Sequence, residues 1–235
     1  MAAVRVLAFS SSRVGTGGYL ENAVPVVRTF LGQDEKQIAF IPFASVDSYE
    51  DYAAKVREGL SSLPHTIEMV TPENAKEVID RCDVIMIGGG NTFKLLHDLY
   101  QTGVVELIKT KVQNGTPYIG WSAGSNLTGP TICTTNDMPI LEPESFGSFG
   151  FFPFQLNPHY YNVVMEGFNG ETRDQRLEEY LKANAGKKIM ALPEGTWLQL
   201  QNEKVIFDGI AQGVMMSREE GQTIHRIIQP GSNLN

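Results

Sequence analysis

Val84-Ile85-Met86-Ile87-Gly88-Gly89-Gly90-Asn91-Thr92 opens the stretch that decides the fold, and Pro117-Tyr118-Ile119-Gly120-Trp121-Ser122-Ala123-Gly124 closes it. Each begins with a short apolar run and ends in small residues. Residues 93–100 and 104–113, between them, are amphipathic at helical spacing. Apolar runs of four or five residues fit strands buried on both faces. A strand, a glycine turn, helices and a second strand make the alternation of a parallel sheet with right-handed crossovers.

The same texture extends outward. Residues 37–41, 66–70 and 4–9 read as further strands, and residues 19–31, 49–60 and 75–81 as helices. Tyr52, Val56 and Leu60 mark one apolar helix face. Past Ser122, residues 128–158 are rich in Thr, Pro, Gly and Phe, which suggests loops and short strands. Thr172 and Gln175 are spaced as a capping box that opens a helix over 172–184. Residues 188–192 read as one more strand, and residues 197–201 and 204–207 flank Asn202-Glu203 as an antiparallel hairpin. Residues 230–235 are expected to be loose. The expected fold is α/β, a mostly parallel sheet flanked by helices with a small antiparallel hairpin near the C-terminus. With no repeat, low-complexity tract or linker, residues 1–235 read as a single domain.

The 235 residues are 42% hydrophobic and 20% charged, which argues against a mainly disordered chain. A net charge of -8 without any basic run argues against nucleic-acid and anionic-membrane partners. An acidic substrate would need a local cation. Cys82 and Cys133 form no Cys-x-x-Cys pair and read as buried thiols in a reducing compartment. No basic segment followed by an apolar stretch opens the sequence, and no run of 18 apolar residues occurs. A soluble, cytoplasmic protein is expected.

Gly120-Trp121-Ser122-Ala123-Gly124 is a G-x-S-x-G motif directly after an apolar strand. Small neighbours permit the sharp turn that projects a nucleophile, and the next backbone N–H can face an oxyanion. The competing reading is an ordinary small-residue turn. Of His65, His97, His159 and His225, only His159 follows a strand-like run through a proline, in Asn157-Pro158-His159, as a base for Ser122 would. Glu194, in Pro193-Glu194-Gly195, and Asp137, in the loop-rich segment, compete as the acid that orients it. Ser122, His159 and Glu194 all stand at carboxyl ends of expected strands, where open α/β sheets assemble sites. Gly89 and Gly90, with Asn91 after them, could offer backbone N–H groups to an anion, or serve only a tight turn capped by Asn91. No metal-ligand spacing, Walker motif or dinucleotide fingerprint is present, so no cofactor is expected.

Five segments together resemble the peptidase E family, the cytosolic α-aspartyl dipeptidases, over essentially the whole chain. They are Gly88-Gly89-Gly90-Asn91-Thr92, Gly120-Trp121-Ser122-Ala123-Gly124, Asn157-Pro158-His159, Gly170-Glu171-Thr172-Arg173 and Leu192-Pro193-Glu194-Gly195. The resemblance implies a fold like that of class I glutamine amidotransferases, with serine replacing their cysteine. It implies metal-free hydrolysis of dipeptides with an N-terminal aspartate, by Ser122 as nucleophile and His159 as base. Glu194 and Asp137 both align with acids proposed for the third position. Tyr161 stands two residues after His159, where the amidotransferases carry Glu, which speaks against a glutaminase. Ala123 and the Gly89–Gly90 turn are the expected oxyanion donors. Arg173, in the first turn of its helix, is the expected reader of the substrate aspartate, ahead of Arg176. The expected partner is an Asp-X dipeptide, and a homodimer stays open. A cyanophycinase-like peptidase and a non-enzymatic small-ligand sensor are the alternatives.

Overall fold

The computed structural model of the chain describes residues 3–163, 166–167 and 169–235. Met1 and Ala2, where the reading for a leader segment begins, lie outside the described residues. In chain order the first half contains β1 (Val6–Phe9), α1 (Val24–Leu31), β2 (Gln37–Ile41), α2 (Tyr49–Gly59), β3 (Thr66–Met69), α3 (Ala75–Arg81), β4 (Val84–Ile87), α4 (Thr92–Gln101), α5 (Val105–Gln113), β5 (Tyr118–Trp121) and α6 (Ala123–Asn126). The second half contains β6 (Gln155–Pro158), α7 (Arg173–Ala183), β7 (Lys188–Leu192), β8 (Thr196–Gln201), β9 (Lys204–Gly209), β10 (Gly213–Glu219), β11 (Gln222–Ile228) and β12 (Ser232–Asn233).

The main sheet has eight strands in the order β12-β9-β8-β1-β5-β4-β2-β3. From β1 to β3 it is parallel, and β8, β9 and β12 continue it antiparallel. Side chains alternate across it, as the strand period of two requires. Leu7, Phe9, Ile38, Phe40, Val84, Met86, Ile119 and Trp121 face α1 and α2, with Val27, Phe30, Ala53 and Val56. Val6, Ala8, Ala39, Ile41, Ile85 and Ile87 face α3, α4 and α5, with Val78, Leu95, Leu99 and Ile108. Burial on both faces explains why these strands read as unbroken apolar runs.

A second sheet, β11-β10-β7-β6, places Leu156, Met190 and Leu192 in that second core. Its other face is covered by Leu177 and Leu181 of α7. The capping box at Thr172 and Gln175 is formed on both sides.

Several expectations need correction. The first helix begins at Val24 rather than at residue 19, because Leu20 adopts a left-handed φ of 58° and Pro25 is placed in the first turn. The β8–β9 hairpin turns at Asn202 and Glu203 with φ of 53° and 63°, as a two-residue primed turn demands. It is not the only antiparallel pair: β10 and β11 form another, with seven paired positions. The end of the chain is tied down, since Ser232 and Asn233 pair with β9. Cys82 is buried, but Cys133 is exposed in the loop after β5 and α6. Among the described residues no helix is long and apolar enough to cross a membrane.

Candidate active site

The chain runs from β2 outward to β3 but from β4 in the opposite direction to β5. The carboxyl ends of β2 and β4 therefore flank a topological switch point, the usual binding crevice of an open α/β sheet. A cleft of about 1050 Å³ lies there, lined by Ala44, Ser48, Gly89 and Asn91 together with Ser122 and His159.

Ser122 leaves β5 with φ 53° and ψ −113°. Backbone in such sparsely populated regions costs a non-glycine residue about 1–3 kcal/mol and must be imposed by its surroundings. Here the single O–H of Ser125 is shared between Phe9 O at 2.6 Å and Gly120 O at 3.1 Å, while the Tyr118 hydroxyl donates to Gly124 O. The two motif glycines are sterically required. A Cβ on Gly120 would stand 2.7 Å from the Gly124 backbone, and one on Gly124 would overlap the Ile87 carbonyl oxygen.

His159 follows Pro158 at the end of β6 with a left-handed φ of 52°. Its N–H donates to Ser10 Oγ at 2.9 Å, and Ser10 donates in turn to Leu192 O at 2.7 Å. Ser10, fully buried just beyond β1, thus joins the main sheet to the ends of β6 and β7. Asn136 Nδ2 adds a bond to Pro158 O at 2.8 Å. In the ring, Nε2 is 3.0 Å from Ser122 Oγ and Nδ1 is 2.8 Å from Glu194 Oε1. A carboxylate only accepts, so Nδ1 carries the proton and Nε2 is left to accept from the serine hydroxyl. Glu194 is held in its turn by Thr196, whose Oγ1 donates to Pro193 O at 2.6 Å, and by Gly195 at φ 79°.

The structure brings Ser122, His159 and Glu194 together and places Asp137 elsewhere. Asp137 Oδ2 accepts the Thr92 N–H at 2.7 Å and the Thr135 hydroxyl at 3.1 Å. It caps α4, where the helix dipole favours a carboxylate. Asn91 also caps α4, through Lys94 N–H at 3.0 Å, and its Nδ2 donates to Met138 O.

Gly88 N–H goes to Ile41 O, Asn91 N–H to Ala44 O and Ser122 N–H to Phe9 O. The N–H groups of Gly89, Gly90 and Ala123 have no acceptor among the described residues. Gly89 is pressed against the serine: a Cβ on it would stand 3.0 Å from Ser122 Cβ. Unpaired amides beside a nucleophile are the components of an oxyanion hole.

Arg13 and Lys55 line the cleft and make no ion pair among the described residues, although Asp47 and Asp51 share the lining. The Arg13 guanidinium lies 5.7 Å from the centre of the Tyr19 ring. Arg173 is not part of this lining. It donates to Asn136 Oδ1, and it too makes no ion pair among the described residues. Burial, and then the neighbouring Arg176, lower its pKa, with Asp137 opposing. Arg176 faces Glu171 at 4.0 Å. The other histidines have partners or positions away from the cleft: His97 bonds Asp98, and His225 lies 3.5 Å from both Asp174 and Glu178. No group of three metal-ligating side chains occurs among the described residues.

Residues 6–207 match the model of peptidase family S51. The chain belongs to peptidase family S51. It is 46% identical to peptidase E of Haemophilus influenzae over 200 residues, 84% of this chain and 92% of that one. With peptidase E of Shewanella putrefaciens it shares 43% identity over 235 residues, 99% and 98% of the two chains. A solved structure from Listeria monocytogenes EGD-e superposes with a TM-score of 0.70 at 23% identity, covering 89% of this chain and all of the other. A peptidase structure from an acI-B1 Actinobacterium gives 0.66 at 16% identity over 99% and 96%. These two likenesses concern the fold alone, a sheet flanked by helices.

Four features of this S51 peptidase escape the sequence reading. Ser10 looks like an ordinary polar residue, although its place just beyond a strand's carboxyl end was a usable signal. Tyr52 reads as core because its spacing matches Val56 and Leu60. Arg13 and Lys55 carry no motif, and only the path of the chain brings them to the cleft.

Proposed function

We propose that this S51 peptidase is a serine dipeptidase that cleaves Asp-X dipeptides through an aspartyl-enzyme. The observation that carries the acyl-transfer reading is the continuous line Ser122–His159–Glu194, with separations of 3.0 and 2.8 Å, whose first two members line an open cleft. In the first half-reaction His159 Nε2 takes the Ser122 proton as Oγ attacks the aspartyl carbonyl carbon. The carbonyl oxygen becomes an oxyanion beside the free amides of Ala123 and the Gly89–Gly90 turn. His159 then protonates the departing amine of the second residue, and the peptide bond breaks. Water, deprotonated by His159, attacks the ester, and collapse returns the proton to Ser122 Oγ and releases aspartate.

Specificity for aspartate rests on the family likeness and on local charge. Arg173 is a cation without a carboxylate partner among the described residues, on the side of His159. Arg13 and Lys55 add unpaired positive charge to the cleft itself in a protein of net charge -8.

The test is a panel of Asp-Leu, Asn-Leu, Ala-Leu and β-aspartyl-arginine with purified protein, with and without a chelator. Asp-Leu should be cleaved fastest and chelation should change nothing. Ser122→Ala should lower Asp-Leu turnover at least about a thousandfold, the scale of losing a triad nucleophile. Preference for the β-aspartyl substrate would favour a cyanophycinase-like activity, no turnover at all a sensor, and loss on chelation restored by zinc a different mechanism.

A further inference from the structure

Tyr52 belongs to α2, yet its hydroxyl reaches across the switch-point crevice to the loop after β4. The oxygen lies 3.1 Å from Gly89 O and 3.1 Å from Trp121 Nε1. An indole N–H can only donate, so Tyr52 accepts from Trp121 and its single O–H is left for the Gly89 carbonyl. Burial raises the Tyr52 pKa, which keeps the phenol protonated as a donor. The ring is seated edge-on against Phe40, 5.2 Å between centres, and Phe40 stacks on Trp121 at 6.0 Å. It also fills the space over Gly88, where any Cβ would overlap its hydroxyl.

We infer that Tyr52 is a positioning residue for the oxyanion hole, acting through the peptide unit between Gly89 and Gly90. The C=O and N–H of one trans peptide are coplanar and point in opposite directions. Holding the Gly89 carbonyl therefore fixes the direction of the Gly90 N–H, one of the three amides near Ser122 without an acceptor. Glycines restrict backbone rotation least of all residues, so the loop sequence alone does not hold that peptide plane. The link to Trp121, the residue before the nucleophile, ties this donor to the strand that carries Ser122 and Ala123. The separation between the two parts of the hole is thereby set by a side chain whose hydroxyl is committed to Gly89 and Trp121 rather than to the nucleophile. Preorganised donors of this kind act only on charge that develops in the transition state.

The inference rests on the acyl-transfer reading of Ser122, and the experiment separates the two. Tyr52→Phe keeps the ring and deletes the donor; Trp121→Phe removes the N–H that orients it. Two quantities are followed: steady-state hydrolysis of Asp-Leu, and the rate at which a small fluorophosphonate labels Ser122. Tyr52→Phe should lower kcat roughly 10–50-fold, less than the 10²–10³-fold cost of deleting an oxyanion donor outright. KM should stay within about twofold, and labelling should slow in proportion to kcat. Trp121→Phe should change both in the same direction by a smaller factor, which decides the matter if Tyr52→Phe does not fold. A higher KM at unchanged kcat, or undiminished labelling in a folded variant, overturns the inference. Labelling needs no dipeptide, so failure of Asp-Leu as a substrate refutes the proposed specificity and leaves this inference decided by the probe. A wild type that the probe does not label removes the acyl-transfer reading and this inference together.

Discussion

Replacing Glu194 by Gln should slow catalysis about 30- to 150-fold, and the geometry sets that figure. The carboxylate stands 2.8 Å from His159 Nδ1, while Nε2 stands 3.0 Å from the serine oxygen. When the ring takes the serine proton, a full positive charge forms about 4 Å from the centre of the carboxylate charge. At that separation the attraction is about 1 kcal/mol in bulk water and about 4 kcal/mol at the effective dielectric of a protein surface. The side chains of His159 and Glu194 are 41% and 53% exposed, so the pair lies between these limits, near 2–3 kcal/mol. At 1.36 kcal/mol per tenfold this gives the stated range. The loss is smaller than the ~10⁴ found where a triad acid is buried, because water here takes over part of the stabilisation. Steady-state kcat for Asp-Leu, measured beside Asp137→Asn, is the assay. Asn at position 137 can still accept the Thr92 N–H, so that variant should stay within about threefold of wild type. A severe Asp137→Asn and a mild Glu194→Gln would refute the assignment of Glu194 as the orienting acid.

Ser10→Ala should leave the His159 N–H without its partner and the Leu192 carbonyl with the Tyr160 N–H alone, costing about 1–3 kcal/mol of stability in urea unfolding. It should also lower kcat more than it raises KM, since the base loses its tether to β1; unchanged kcat in a destabilised protein would limit Ser10 to structure. Arg173→Met should reduce kcat/KM for Asp-Leu by about 2–4 kcal/mol and narrow the preference for Asp-Leu over Asn-Leu. Asn136 keeps its 2.6 Å bond from Asn157, so fluorophosphonate labelling of Ser122 should stay within about threefold. An unchanged Asp/Asn ratio would place specificity in the cleft lining itself, with Arg13 and Lys55 next in line.

What was legible in the chain's own order of residues was local. Four- and five-residue apolar runs alternating with amphipathic stretches of helical spacing read as buried strands between helices, so the parallel half of the sheet followed from periodicity. Gly120 to Gly124 announced a sharp turn because a side chain at either glycine collides with backbone, which is a short-range matter. Thr172 and Gln175 announced a helix start for the same reason. The extent of the antiparallel half was not legible, since β10 and β11 alternate weakly and β12 is two residues that pair only because β9 is an open edge. Nor could the chain order choose between Glu194 and Asp137. Both are acids in turns, and sequence distance from His159 carries no information about which one folds back onto it. Parallel pairing of β6 with β7 brings Pro158 opposite Leu192, so the turns after both strands emerge side by side, and that register puts Glu194 against the ring. Asp137 lies in the segment between α6 and β6 and meets the first turn of α4, where it accepts the Thr92 N–H. Ser10 and Tyr52 show the same division. Each is an unremarkable residue in its own segment, and each gains its partners from strands and loops dozens of residues away that meet only when the sheets are closed.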